Sequence, residues 1–308
     1  MTQSLLFIGI GNMGRPMAVN LARRGFVLSV NDARPGLPDE LAALGARWTD
    51  TPASAAAHAD IVLLSLPGPP QVREVLLGER GVLHAMRAGS VLIDTSTSSV
   101  DLAREIAAVA SARGVDYLEA PVTNAIDGAA EGRLSIFVGA EADAFARWRS
   151  VLDVLGNRVL HVGPHGNGAT VKLLTNLMWF VNAAAIGEAL MLGAKAGVPL
   201  DVVREALMHS AGSSWVVEHD IPSIFAGHYD PSFSLALCCK DLSLVNQIAE
   251  QQGYALTMGR HAQAVFERAR QIYGDDAAEL HVVRLLEQQV GLYLRPPHGQ
   301  TAGEEKAA

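Results

Sequence analysis

The stretch "FIGIGNMGRPMAVNLARRGF" (residues 7–26) sets Gly9, Gly11 and Gly14 in G-x-G-x-x-G spacing, behind an apolar run that begins at Leu5 and ahead of a helical pattern. Between a strand and a helix, each glycine has a separate task. Gly9 permits the tight turn, Gly11 lets the backbone approach a pyrophosphate, and Gly14 lets the helix pack close to the strand. The helix start then offers unpaired N–H groups to the phosphates. Asn12 and Met13 lie within the same loop and are expected to touch the dinucleotide. Asp32 closes the next apolar run, 18 residues beyond Gly14. A carboxylate there can accept hydrogen bonds from both adenosine ribose hydroxyls and repels a 2′-phosphate, so NAD is expected over NADP. Arg34, two residues on, could partly offset that repulsion, which keeps NADP open.

Outward from this loop the chain alternates. The runs "LLFIGI" (5–10), "VLSVN" (27–31), "DIVLLSL" (60–66), "SVLIDTS" (90–96), "VDYLEA" (115–120) and "LSIFVG" (134–139) are separated by Ala-rich helical stretches. Continuous apolar strands between helices describe a parallel sheet covered on both faces. The expected fold is α/β: a doubly wound, mostly parallel Rossmann-type sheet over residues 1–165, then an interdomain helix over 166–195. An all-helical domain over 196–295 and a disordered Pro/Gly/charge-rich tail over 296–308 complete the expected chain. Ligands of open α/β sheets bind beyond the carboxyl ends of the strands. Pro67 and Thr97, in the loops after the "DIVLLSL" and "SVLIDTS" runs, are therefore expected cofactor walls.

The chain has 308 residues, 49% of them apolar and 18% charged, with a net charge of −8. That length suits two domains, and the acidic balance excludes a phosphate-tracking surface, so no nucleic-acid partner is expected. The two cysteines, Cys238 and Cys239, are adjacent and cannot form a disulfide framework. No signal-peptide pattern opens the sequence, and the longest candidate span, residues 173–187, has 15 residues interrupted by Asn176 and Asn182. No membrane association and a cytoplasmic location are expected.

The segment "GNGATVKLLTNLMWFVNAAAIGEAL" (166–190) poses the chemical question. With histidines neutral, Lys172 is the one formal charge between Arg158 and Glu188. Lysine is almost never fully buried without a partner or a task. A helix of about 30 residues, on the order of 45 Å long, would stack Lys172 with Asn176 at i+4 and continue the stripe at Trp179. Alcohol oxidation by hydride transfer needs a base for the hydroxyl proton, and the reverse needs a donor to the carbonyl oxygen. One amine in a dry cleft can serve both when desolvation lowers its pKa.

The phosphate loop, the segment "EAPVTNAIDGAAEGRLSIFVG", the helix "GNGATVKLLTN" and the late motif "KDLSLV" occur in the order seen in the β-hydroxyacid dehydrogenases, which the chain resembles from about residue 5 to 290. The resemblance implies a dinucleotide-binding domain, an all-helical domain, and an active site between them at the long helix. It implies Lys172 as general acid/base, Asn176 as the substrate-orienting amide, Lys240 as a lysine reaching the cofactor and substrate region, and Trp215 as an aromatic near the substrate. It implies NAD or NADP as cofactor, a small β-hydroxy acid such as 3-hydroxyisobutyrate as substrate, and a homodimer or homotetramer. One loop departs from the pattern. Family members usually read Asp-Ala-Pro-Val-Ser-Gly-Gly, whereas residues 119–125 read Glu-Ala-Pro-Val-Thr-Asn-Ala. Thr123 keeps the hydroxyl, while Asn124 and Ala125 add side chains and disfavour positive φ, so the substrate carboxylate is expected to be held differently, with Asn124 donating a hydrogen bond. That change leaves two alternatives, an imine reductase of the same architecture or a reductase of a non-carboxylate substrate. The ten histidines show no convincing ligand spacing, and no metal is expected, since a lysine can handle the proton.

Overall fold

The computed structural model describes residues 3–296. The expectation of a disordered tail falls on residues that lie, from 297 onward, outside the described ones. The chain divides into two compact units, Met1–Leu174 and Thr175–Ala308.

The first unit is built on a nine-stranded sheet. Its strands are β1 (Ser4–Ile8), β2 (Val27–Asn31), β3 (Arg47–Trp48), β4 (Ile61–Leu64), β5 (Val91–Asp94), β6 (Asp116–Glu119), β7 (Val122–Thr123), β8 (Leu134–Gly139) and β9 (Gly156–Gly163). They run in the order β3-β2-β1-β4-β5-β6-β8-β7, with β9 also paired to β8. The strands from β3 to β6 pair in parallel, in the doubly wound order with crossovers to either side of β1. β8 is antiparallel to β6 and β7 and parallel to β9.

Six of these strands coincide with the six apolar runs. β3 and β7, of two residues each, have too few side chains to show a pattern, and β9 (GNRVLHVG) alternates too weakly. The continuous apolar runs have a plain cause. On β1, Leu5 and Phe7 enter one hydrophobic core while Leu6 and Ile8 enter the other, and β4 repeats this with Ile61 and Leu63 against Val62 and Leu64. Side chains alternate across a strand, so a sheet buried on both faces needs an apolar residue at every position.

The long helix spans Asn167–Lys195, 29 residues. The division between the two units falls inside it, between Leu174 and Thr175. Its length and composition alone would let it cross a membrane, a test that the core helix of a folded domain also passes. Phe180, Ala183, Ile186 and Leu190 of this helix lie in the core of the second unit, with Val217, Ile221, Leu242 and Phe266. That unit is helical. Helices over Leu200–Met208, Ile221–Ala226, Leu235–Gln251, Thr257–Tyr273 and His281–Val290 follow the long one, and a single π-type turn over Val216–Asp220 precedes the second of them.

Candidate active site

The glycine loop leaves β1 and enters a helix over Gly14–Arg23. Gly9 has φ of +91°, and a Cβ there would lie 2.2 Å from the Ser65 carbonyl oxygen. A Cβ on Gly14 would lie 1.8 Å from the Gly9 carbonyl oxygen. Neither position tolerates any other residue. Gly11 differs: a Cβ there would meet only the Arg34 guanidinium, at 4.0 Å. Its open side faces a cavity of about 480 Å³ lined by Ile10, Gly11, Asn12, Arg15, Arg34 and Ile126 among others. Two glycines packed against protein and one against open space is the arrangement a bound pyrophosphate requires.

Asp32 is held from the loop side. Its Oδ2 accepts from the Ile10 N–H (2.9 Å) and its Oδ1 from the Arg34 N–H (2.9 Å). Each oxygen keeps further lone-pair capacity for a ribose hydroxyl. The exposed Arg34 guanidinium stands 3.8 Å from Asp32 Oδ1. Met13 is the residue preceding the first helical turn and packs on the sheet core. Pro67 is exposed just beyond β4, and Thr97 is half-buried beyond β5. These two loops are tied together by the Leu66 N–H, which donates to Ser96 Oγ (2.9 Å).

At the 119–125 segment, Thr123 ends β7, and Asn124 and Ala125 both take positive φ, +89° and +55°. The chain thus keeps the left-handed backbone that a Gly-Gly pair would adopt freely. Asparagine tolerates it through local hydrogen bonding, and alanine carries strain. The Asn124 Nδ2 donates to the Arg133 carbonyl (3.0 Å) and Ser135 Oγ (3.4 Å).

Glu119, at the end of β6, has a role that sequence reading missed. Its Oε1 accepts from the N–H groups of Gly166 (2.5 Å) and Gly168 (2.8 Å), capping the long helix from a distant strand. Gly168 admits this cap: a Cβ there would lie 2.8 Å from the Phe137 carbonyl and 3.0 Å from Glu119 Cγ. Burial raises the Glu119 carboxyl to about 7, against the lowering effect of those N–H donors. Asp94, its register partner on β5, is raised by burial to about 6. Both acids close apolar strand runs, the one signal in the sequence that marks them.

Lys172 is buried, 8% exposed, in the second turn of the long helix. Asn176, one turn on, is also buried, and its Nδ2 donates to Asp241 Oδ2 at 2.6 Å. Asp241 is 1% exposed, and its other oxygen pairs with Lys240 Nζ at 2.9 Å. The Lys240–Asp241 pair is therefore not a solvated helix start. It lies inside the helix Leu235–Gln251, with Lys240 partly exposed and Asp241 orienting both Asn176 and Lys240. Nothing in the sequence distinguished Asp241 from its lysine neighbour. Trp215 is 52% exposed and stacks on His219, ring centroids 3.6 Å apart. His161 and His165 pack on Phe145 and Tyr117 and meet backbone carbonyls, away from any ligand role.

Comparison with known proteins gives a consistent result along the chain. Residues 4–163 match the NAD binding domain of 6-phosphogluconate dehydrogenase. Residues 166–286 match the NAD-binding domain of NADP-dependent 3-hydroxyisobutyrate dehydrogenase. The chain is 35% identical over 289 residues to 2-(hydroxymethyl)glutarate dehydrogenase of Eubacterium barkeri, covering 93% of this chain and 95% of that one. It is 36% identical over 281 residues to 2-hydroxy-3-oxopropionate reductase of Escherichia coli, covering 91% and 96%. Among solved structures, the 3-hydroxyisobutyrate dehydrogenase of Mycobacterium tuberculosis with L-serine superposes with a TM-score of 0.83 at 31% identity, over 93% of this chain and 99% of that one.

Proposed function

The chain belongs to the β-hydroxyacid dehydrogenases, an NAD(P)-dependent family, and on that premise we propose that it oxidises a small β-hydroxy acid of the 3-hydroxyisobutyrate type with Lys172 as general acid/base. The observation that carries the reading is a buried lysine in the opening turns of a helix whose N-terminus is fixed by Glu119 and whose next turn carries the buried Asn176. The nicotinamide, when bound, supplies the acceptor for the hydride. Lys172 removes the hydroxyl proton of the substrate and, in the reverse direction, returns one to the carbonyl oxygen. Asn176, oriented by Asp241, holds the substrate, and Lys240, anchored to the same carboxylate, supplies positive charge near it.

Gly9, Gly11, Asn12, Met13, Gly14, Asp32, Pro67 and Thr97 form the cofactor set in this reading. Thr123, with the backbone of Asn124 and Ala125, and Trp215 complete the substrate set. The positive φ at both positions supports a carboxylate cradle made by main chain, as two glycines would make it, and speaks against the imine and non-carboxylate alternatives. The names of the relatives point the same way, each a small carboxylic acid or its semialdehyde. Asp32 supports NAD as the preferred cofactor, with the adjacent Arg34 leaving measurable use of NADP. Residues 1–165 would bind the cofactor, 166–195 carry the proton-transfer group, and 196–295 complete the substrate site and the contacts of a cytoplasmic homodimer or homotetramer. Leu174, Met178 and Leu192, all exposed on the long helix, support such an assembly.

The test is reduction of NAD⁺ and NADP⁺ with 3-hydroxyisobutyrate, 3-hydroxypropionate, serine, glycerate and threonate, followed by nicotinamide absorbance. Lys172→Ala is expected to lower kcat by about 10²–10⁴-fold with NADH binding intact. A variant that kept the wild-type rate, or a wild type idle on every acid, would overturn the reading.

A further inference from the structure

Three carboxylates of the helical unit, remote in sequence, converge on one point. Asp220 ends the π-type turn, Asp230 lies in the loop after the helix Ile221–Ala226, and Glu279 precedes the helix His281–Val290. One carboxylate oxygen from each lies within 4.8 Å of the others. Asp220 and Glu279 are 3% and 2% exposed, and Asp230 is half-buried. Backbone pairing fixes the approach: the Glu279 N–H donates to the Phe233 carbonyl (2.9 Å) and the Leu235 N–H to the Ala277 carbonyl (2.8 Å).

Two of these acids have donors. Asp220 Oδ2 accepts from Trp179 Nε1 (3.0 Å), and Asp230 Oδ1 from the Ser232 N–H (3.0 Å). Glu279 has none. Both of its oxygens are buried with no hydrogen-bond partner, and no ion pair among the described residues reaches any of the three acids. A buried carboxylate left so is costly unless it is neutralised. The spacing suits an ion. Ca²⁺ binds oxygen at about 2.3–2.6 Å, so oxygens on one ion lie at most about 5 Å apart. An all-carboxylate set selects a hard cation over zinc or copper.

We infer that Asp220, Asp230 and Glu279 form a structural site for a hard divalent cation of the Ca²⁺ type, pinning the 220–230 segment to the start of the last helix. The expectation of no metal rested on histidine spacing and on a lysine able to handle the proton, and neither bears on a structural carboxylate site. The site is distinct from the proton-transfer chemistry proposed for Lys172 and needs no turnover to be tested.

Full-length protein stripped with EDTA would be titrated with CaCl₂, MgCl₂ and MnCl₂ while thermal unfolding is followed. Tb³⁺ would be added as a luminescent probe excited through tryptophan, since the Trp179 indole touches Asp220. The expected result is a saturable rise in Tm, on the order of 5 °C at a hundredfold excess over Kd, with Tb³⁺ luminescence displaced by Ca²⁺. Glu279→Gln should abolish both. Absence of any cation effect and of Tb³⁺ luminescence in the wild type would overturn the site and leave a proton-neutralised cluster. The wild-type readings decide the matter even if the variant folds poorly.

Discussion

Buried acids are held by main chain in the sheet-bearing unit and by side chains in the helical unit. Asp94 takes the Ser96 N–H, and Glu119 takes the N–H groups of Gly166 and Gly168. In the helical unit Asp241 relies on Asn176 and Lys240, Asp220 on Trp179, and Glu287 largely on Tyr229 and Arg295. The cause is where free N–H groups exist. Strand ends, loops and helix starts leave donors unpaired, whereas the interior of a helix has spent its own. An acid among helices must therefore recruit a side chain or an ion, and Glu279 is the one that has recruited no side chain.

The strongest challenge to this contrast is Glu287→Ala. Glu287 is fully buried, accepts from the Leu294 N–H (2.8 Å), and pairs with Arg295 at 3.0 Å. Truncation removes the acceptor of the Tyr229 O–H and of the Leu294 N–H and leaves Arg295, still bonded to Tyr229 and the Ile224 carbonyl, without its carboxylate; a loss of about 2–3 kcal/mol is expected in chemical denaturation. That lies at or below the lower end of the range of about 3–5 kcal/mol for a broken buried pair, because Arg295 keeps about a third of its side chain in solvent. A loss below about 0.5 kcal/mol would show that side-chain partners matter no more here than backbone donors do in the sheet unit.

A second measurement sharpens the sheet side. Glu119 is raised to about 7 and Asp94 to about 6, both by burial. Between the ordinary carboxylate range and these values the folded state keeps protons that the unfolded state has released. Stability should therefore be highest in mild acid and fall as pH rises to about 7, by at most about 1.4 kcal/mol per pH unit for each group. Glu119→Gln keeps an acceptor for the Gly166 and Gly168 N–H groups and removes one titration. Its urea midpoint should lose part of that decline, and an unchanged slope would remove Glu119 from the account.

The smallest effect is expected at the loop where Asn124 and Ala125 stand in place of glycines. Ala125 sits at φ +55°, and Ala125→Gly should stabilise by less than about 1 kcal/mol, since relief of left-handed strain is partly offset by glycine's extra unfolded entropy. If KM for the acid substrate also changes little, the cradle is made by backbone. A large rise in KM would give the Ala125 methyl a substrate contact.

The glycine spacing, the acid that closes the second strand and the uninterrupted apolar runs were legible in one dimension, because each reports a local rule: a turn needing no Cβ, a strand end, a sheet buried on both faces. The lone lysine was legible for the same reason, as a charge in a segment that has no other. The three strands that escaped notice were too short or too weakly alternating to carry a period. What only the tertiary structure decided was which polar groups meet. Glu119 caps a helix 47 residues away, Asp241 is buried and meets an asparagine 65 residues back, and Asp220 and Glu279 converge across 59 positions. Such pairings depend on the route of the chain between the partners, and no spacing along the sequence records that route.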